Sequence, residues 1–284
     1  MMYLDKNWCG LHWSPWLNFV DKQFLSQIPS LPGVYRVKGK GQQRLYYIGQ
    51  TGRTLKNRLR ELVKTTYQEV MPFNDPHTAA PSLWAWRDAE DIEFEVSTAS
   101  VNLEKRLREG LECYLLWQYR LEAGESTLCN HGRFHPSYKK SRNRSTSMRG
   151  YRLPAGEVNP AGGASVRPLV LHKKPSDNDW MGLQWSDADE LKSKNMELVP
   201  KAIGLYKLMG EEHLLYIGQT INLSNRLSSY LGKKWDGKLI KFSFHHIPEP
   251  LQPYQLKEWE NDLIGAFYYM TNAVPQIQFR QGVG

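Results

Sequence analysis

Five polar positions recur in the same order in the two halves of this sequence, and their residue types suit phosphodiester chemistry. The first half holds Tyr35, Tyr47, Arg58, Glu112 and Asn130; the second holds Tyr206, Tyr216, Arg226, Glu260 and Gln278. An arginine pairs with two phosphate oxygens at once and keeps its charge at any physiological pH. One carboxylate is too little for an all-protein metal cage. Mg²⁺, however, takes one or two carboxylates and completes its shell with water and substrate phosphate oxygens. Such an ion polarises the phosphoryl oxygen and the leaving group. Tyrosine, with an ordinary pKa of ~10, is a weak base that a neighbouring cation or metal-bound water strengthens. Each residue taken singly has a plainer role: tyrosines pack well in strands, Arg58 suits a solvated helix face, and Glu112 could pair with Arg108 four positions earlier. Recurrence of the whole set at matched spacing is what lifts it above those readings.

The elements that would position these residues repeat as well. GLHWS at 10–14 returns as GLQWS at 182–186, and GVY at 33–35 as GLY at 204–206. YIGQT at 47–51 returns unchanged at 216–220, and LKNRL at 55–59 as LSNRL at 223–227. The offsets drift only from 172 to 168, so the chain contains two copies of one unit. Each copy predicts a hairpin, a helix, a third strand and a closing helix. The hairpin spans Gly33–Lys38 with Leu45–Thr51, and Gly204–Leu208 with Leu214–Thr220. It should set Tyr35 opposite Tyr47, where facing side chains approach within ~5 Å. Leu55, Leu59 and Leu62 form the buried stripe of the first helix, which Thr54 caps. Alternating patterns predict strands over Ile92–Ser97 and Leu239–Ile247. Asn102 is the expected cap of the closing helix, with Leu103, Leu107, Leu111 and Leu115 as its buried face; Gln255–Tyr269 is the counterpart. The offset falls to 148 between Glu112 and Glu260. The first copy therefore carries an insertion, placed at 65–90, whose Trp84 and Trp86 either anchor it to its own domain or reach a nucleic-acid groove.

Charge is concentrated between the copies. The chain has 37 Lys and Arg against 29 Asp and Glu, a net charge of +8. Residues 131–180 hold ten of the basic residues and only three of the acidic ones. Arg133, Lys139, Lys140, Arg142, Arg144, Arg149 and Arg152 lie in this Ser-, Gly- and Pro-rich stretch, which reads as an exposed, mobile strap for a polyanion. The plainer reading is a solvated linker. With 40% hydrophobic and 23% charged residues, the chain has a globular balance. Leu263–Met270 is its longest strongly apolar stretch, far short of the ~20 residues of a membrane span. The N-terminal residues lack a secretory pattern. Three widely spaced cysteines, Cys9, Cys113 and Cys129, suit a reducing compartment, so a cytoplasmic protein with no membrane partner is expected.

GVY, YIG, Arg58, Glu112 and Asn130, in that order and spacing, resemble a GIY-YIG nuclease domain; GLY, YIG, Arg226 and Glu260 resemble a second. The run YIGQTINLSNRLSSYL is similar to the nuclease half of bacterial excision-repair enzymes. The resemblance covers about residues 30–130 and 200–280, and implies an α+β fold of two small domains, each a three-stranded antiparallel sheet flanked by helices. The expected boundaries are 1–135 and 181–284, with 136–180 as basic linker. It further implies metal-dependent hydrolysis of one DNA strand per site. Tyr35 and Tyr47 would flank the attacking water, Arg58 would hold the scissile phosphate, and Glu112 would bind one Mg²⁺ or Mn²⁺. Asn130 would help position the site. Tyr206, Tyr216, Arg226 and Glu260 would repeat these roles, with Gln278 standing where the family has asparagine. Two sites in one chain could cut both strands of a duplex without a partner subunit. The expectation is a monomeric endonuclease of double-stranded DNA, in restriction or defence. Alternatives are a nuclease with one live site and a degenerate DNA-binding second half, a repair or recombination nuclease, and a non-catalytic nucleic-acid-binding protein.

Overall fold

The computed structural model describes residues 1–211, 213–235 and 237–280. The chain divides into two compact units, Met1–Arg108 with Gln118–Ser165, and Glu109–Trp117 with Val166–Gly284. Each is a mixed α/β structure on an antiparallel sheet. The first contains β1 (Leu17–Asn18), β2 (Gly33–Gly39), β3 (Leu45–Thr51), α1 (Leu55–Thr66), α2 (Ala80–Glu90) and β4 (Phe94–Ser100). Helix α3 (Lys105–Ala123) follows, then a small hairpin of β5 (Tyr138–Lys139) and β6 (Tyr151–Arg152). The second contains β7 (Asp189–Glu190), β8 (Gly204–Met209), β9 (Leu214–Thr220), α4 (Leu223–Ser228), β10 (Lys241–His246) and α5 (Pro253–Thr271). The sheet orders are β1-β4-β2-β3 and β7-β10-β8-β9. No helix among the described residues is long and apolar enough to cross a membrane.

Each sheet thus has the three expected strands plus a two-residue edge strand, and the repeated GLxWS segment explains the addition. Ser14 N donates to Thr98 O and Ser186 N to Phe244 O, each at 2.8 Å. The Ser14 and Ser186 hydroxyls accept from Thr98 N and Phe244 N in turn. These bonds splice the segment onto the outer edge of β4 or β10, and the next residues pair as β1 or β7. The tryptophans then fold over the sheet. Trp13 Nε1 donates to Trp8 O, and Trp185 Nε1 to Trp180 O, both at 3.0 Å.

Beneath them lies a buried cation from the central strand. Arg36 is fully buried, and its guanidinium sits 4.2–5.6 Å from the ring centres of Trp8, Trp13 and Trp16. It donates to the carbonyls of Tyr3 and Asp5. Lys207 occupies the same place in the second unit, 4.3 Å from the Trp185 ring centre and donating to Pro175 O. Burial pushes its ammonium down to about 8. An indole face and a carbonyl together replace the water such a cation loses. The alternation of a strand sends Tyr35 and Tyr206, one residue earlier, to the opposite face.

That face is packed by the helix after the hairpin. Thr54 caps α1, its Oγ accepting from Asn57 N at 3.2 Å, and Asn222 caps α4 in the same way. Leu55, Leu59 and Leu62 are buried, as are Leu223 and Leu227. Helix α3 begins later than the sequence suggests. Val101 N still donates to Pro32 O beside β2, so the chain stays extended past Asn102, and Glu104 takes the N-cap position. Leu111 and Leu115 are buried on α3, while Leu103 and Leu107 are only half-buried.

The insertion folds into α2, and its tryptophans anchor it. Trp84 Nε1 donates to Gln68 O at 2.8 Å; Trp86 packs edge-on against Tyr46 and His135. Met71, Trp84, Phe134 and Tyr138 form a cluster that ties the insertion to the β5–β6 hairpin. The basic stretch is accordingly built into the fold rather than a loose strap. Farther along, Val166 N and Leu169 N donate to the buried carboxylates of Glu258 and Asp262 on α5. Trp185→Ala removes a buried ring that both packs and covers Lys207. It should cost about 3–5 kcal/mol, read as a fall in the denaturation midpoint, whereas Gln184→Ala in the same motif, at an exposed position, should stay within ~0.5 kcal/mol.

Candidate active site

The second unit brings its whole set together. Tyr206 faces Gly218 across the β8–β9 hairpin, and Tyr216 faces Leu208. The two tyrosines are therefore diagonal neighbours rather than the direct pair the sequence suggests, with ring centres 5.9 Å apart. The same holds in the first unit: Tyr35 faces Gly49, Tyr47 faces Val37, and the ring centres are 5.9 Å apart. This register explains the last residue of YIG. A Cβ on Gly218 would lie 2.5 Å from the Tyr206 hydroxyl oxygen, and one on Gly49 2.8 Å from that of Tyr35. Glycine is the residue that lets the phenol cross the neighbouring strand.

Arg226 Nε donates to Tyr206 Oη at 2.8 Å. Tyr206 Oη also meets Tyr230 Oη at 2.9 Å. Tyr230 was not among the sequence candidates, because its counterpart in the first copy is Leu62 and a search for shared residues passes over it. Gln278 Oε1 accepts from Ile217 N at 3.0 Å. Asn130 does the same for Ile48 N at 3.0 Å and also donates to Ile48 O. The amides thus fix the middle of β3 and β9 from behind, and the longer glutamine reaches the equivalent backbone group. These are positioning contacts rather than contacts to a reacting atom.

Glu260 accepts a hydrogen bond from the Gln219 backbone and keeps partial exposure. Burial raises its carboxyl pKa to about 7, opposed by that hydrogen bond and by the charges of Lys257 and Arg226. Burial, with the Glu260 charge second, pushes the Tyr216 phenol up to about 12. Burial likewise raises Tyr206 and Tyr230. The three phenols are therefore protonated near neutrality, and Arg226 is the nearby charge that favours their ionisation. Among the described residues no three His, Cys, Asp or Glu gather as a metal cluster. The chemistry of Glu260 fits Mg²⁺ or Mn²⁺: it is a hard oxygen donor whose partly desolvated anion a cation would stabilise.

In the first unit Arg58 Nε donates to Tyr35 Oη at 3.2 Å. Its Nη1 meets His77 Nδ1, and His77 Nε2 meets Glu61 at 3.0 Å. Arginine only donates, so Nδ1 accepts and the proton sits on Nε2. His77 is 1% exposed, and burial together with Arg58 lowers its pKa. It comes from the insertion, which the spacing of the repeats marked as extra sequence without marking its chemistry. Glu112 lies half-exposed on α3, in the stretch grouped with the second unit. Burial, then the charges of Glu112, Glu260 and Glu109, raises the neighbouring Cys113 thiol well above its usual value.

The basic residues divide. Lys139, Arg142, Arg144, Arg149 and Arg152 are exposed and Lys140 is half-buried. Arg149 donates to Met71 O and, like Arg144, stacks on Phe73. Arg133 departs from the expectation: at 5% exposure it donates to Ser126 O and Gly163 O, so it braces a loop instead of facing a ligand. No family model matches the sequence, and no curated protein or solved structure is significantly similar to the chain.

The Glu260 environment fixes a direction for stability against pH. The folded chain retains this proton up to about pH 7, against an ordinary value of 4.5. Between these values the folded state binds the extra proton, so this group makes stability fall as pH rises, and the penalty is complete above about pH 7. Glu260→Gln should flatten that interval and stabilise the chain at pH 8 by about 1–3 kcal/mol, measured by denaturation of both proteins at pH 5 and pH 8.

Proposed function

We propose that the chain is a divalent-metal-dependent DNA endonuclease of the GIY-YIG type, with an active site in each half. The convergence of Tyr206, Tyr216, Arg226 and Glu260 carries this reading, because sequence spacing alone had singled out those four. Arg226, steadied through Nε by Tyr206, offers its remaining donors to the scissile phosphate, where a planar fork matches two oxygens. Glu260 would hold Mg²⁺ or Mn²⁺, which when bound withdraws charge from the phosphoryl and leaving oxygens. The phenols of Tyr206, Tyr216 and Tyr230 surround the place where water is oriented towards phosphorus. Arg226 favours the phenolate, so that a tyrosine which has first released its own proton to solvent could accept the water's proton. Tyr35, Tyr47 and Arg58 would serve the first site in the same way, and the sequence repeat assigns it Glu112 as the counterpart of Glu260. The exposed cations from Lys139 to Arg152 supply backbone contacts, which give affinity without sequence information.

Supercoiled plasmid with Mg²⁺ or Mn²⁺ tests the two-site reading. The parent should linearise it; Glu112→Ala or Glu260→Ala alone should only nick it. Retention of linearisation by Glu260→Ala would leave one live site, and unaltered cleavage by both variants would overturn the metal-ligand assignment. Neutralising Arg142, Arg144 and Arg149 together should flatten the logarithmic salt dependence of duplex binding by about 2–3. An unchanged slope would reduce that segment to a structural connector.

A further inference from the structure

We propose that the first half carries a second phosphate-binding subsite beside Arg58, formed by Arg53, Lys105 and Arg108, which holds a neighbouring phosphate of the strand being cut. The proposal rests on the nuclease reading above and adds a contact that the repeated residues do not supply. An open cavity of about 360 Å³ lies where β3 leads into α1. Arg53, Arg58, Lys105 and Arg108 line it, and none of its lining residues is acidic. Even with Arg53 paired to Glu61, a concave surface that presents four cationic side chains and no acidic lining residue favours an anion. An oxyanion chain passing Arg58 is an anion of the right class.

Two features show that the subsite is built. Arg108 is 7% exposed and held on one side only: Nε donates to Gln50 Oε1 at 2.7 Å and Nη1 to Leu103 O at 2.8 Å. Its Nη2 has no hydrogen-bond partner among the described residues and points at Gly52, where any Cβ would collide with it. The guanidinium is thus ordered before a ligand arrives, which lowers the entropic cost of binding. The second feature is a chain of contacts linking the two other arginines. Arg53 forks onto Glu61 at 3.1 and 2.7 Å, Glu61 accepts from His77, and His77 accepts from Arg58. The exposed Arg53–Glu61 pair adds little stability by itself, but it fixes where Arg53 stands relative to Arg58.

The second half lacks these parts. Ile221 alone stands between Thr220 and the cap Asn222, where the first half has Gly52 and Arg53 between Thr51 and the cap Thr54. Pro253 and Leu256 replace Lys105 and Arg108 at the offset of the glutamates, and Ser229 replaces Glu61. Only Arg226 remains. The chemistry of one cut therefore does not require the extra cations, which leaves strand holding as their role.

The test uses the full chain carrying Glu260→Ala, so that nicking reports the first half, with and without Arg53→Ala plus Lys105→Ala. Both added positions are exposed, so folding should survive. The double change should raise KM for plasmid nicking tenfold or more while kcat stays within about threefold. In metal-free buffer it should also make the salt dependence of binding to a labelled duplex shallower by about 2 in logarithmic slope. Arg108→Leu, the residue of the second half, should move KM the same way. Unchanged KM and slope would overturn the subsite. A loss in kcat at constant KM would also overturn it, by assigning these residues to the chemistry at Arg58. If no protein in the series nicks DNA, the nuclease reading fails, and the binding slope still decides the subsite.

Discussion

The hydrogen bond from an arginine Nε to a buried phenol on the central strand is the contact on which both halves depend. It measures 3.2 Å from Arg58 to Tyr35 and 2.8 Å from Arg226 to Tyr206. A buried hydroxyl without a partner costs about 1–3 kcal/mol, and a charged donor makes the stronger bond. The geometry that permits it is demanding. The phenol must lie flat across the next strand, which only glycine at position 49 or 218 allows. That strand must not slip, and Asn130 or Gln278 holds its backbone amide. The central strand must be fixed from its other face as well, and Arg36 or Lys207 under the tryptophans does that. Most of the repeated motif residues find their physical reason in this one contact.

The sequence made the frame legible because the chain contains its own comparison. Elements whose periodicity survives in both copies are present in the expected order: the hairpins, the Thr54-capped helix, the third strands and the closing helices, the first of which starts later than its pattern suggests. What stayed hidden had no partner in the other copy. Tyr230 matches Leu62, and His77 matches nothing. The cation cage was hidden differently. Arg36 and Lys207 differ in type and look like solvated strand residues, and only the folding of the GLxWS segment over the sheet reveals them as buried. The direct pairing of Tyr35 with Tyr47 failed for a local reason. The register sets Tyr47 opposite Val37, two residues along from Tyr35, so the glycine, not the second tyrosine, stands opposite the first.

The two halves support the same arginine by different means. In the second, the Arg226 guanidinium lies 5.2 Å from the Tyr230 ring centre, and the Tyr230 hydroxyl, kept protonated by burial, shares a hydrogen bond with Tyr206. In the first, Leu62 cannot do this, and the insertion delivers His77 instead, backed by Glu61. An imidazole accepting from a guanidinium holds only while it is neutral. Protonation would place a second positive charge against Arg58, with the Glu61 carboxylate in contact to offset it. The insertion therefore supports Arg58 as well as adding surface, and its anchored tryptophans hold His77 in place for that contact.

The charged environments of Lys207 and Glu260 in the second unit differ in how far the chain completes them. Lys207 is enclosed by indole faces and gives its proton to a carbonyl hydrogen bond, so its environment is complete within the chain. Glu260 makes no salt bridge among the described residues and has one backbone donor; its anion is left under-compensated, and its proton is retained to about pH 7. A site that keeps an acid in this condition is less stable at neutral pH than one with an amide there. Such a cost, placed beside an arginine and three phenols and open to solvent, is what a cation entering with a phosphate would relieve.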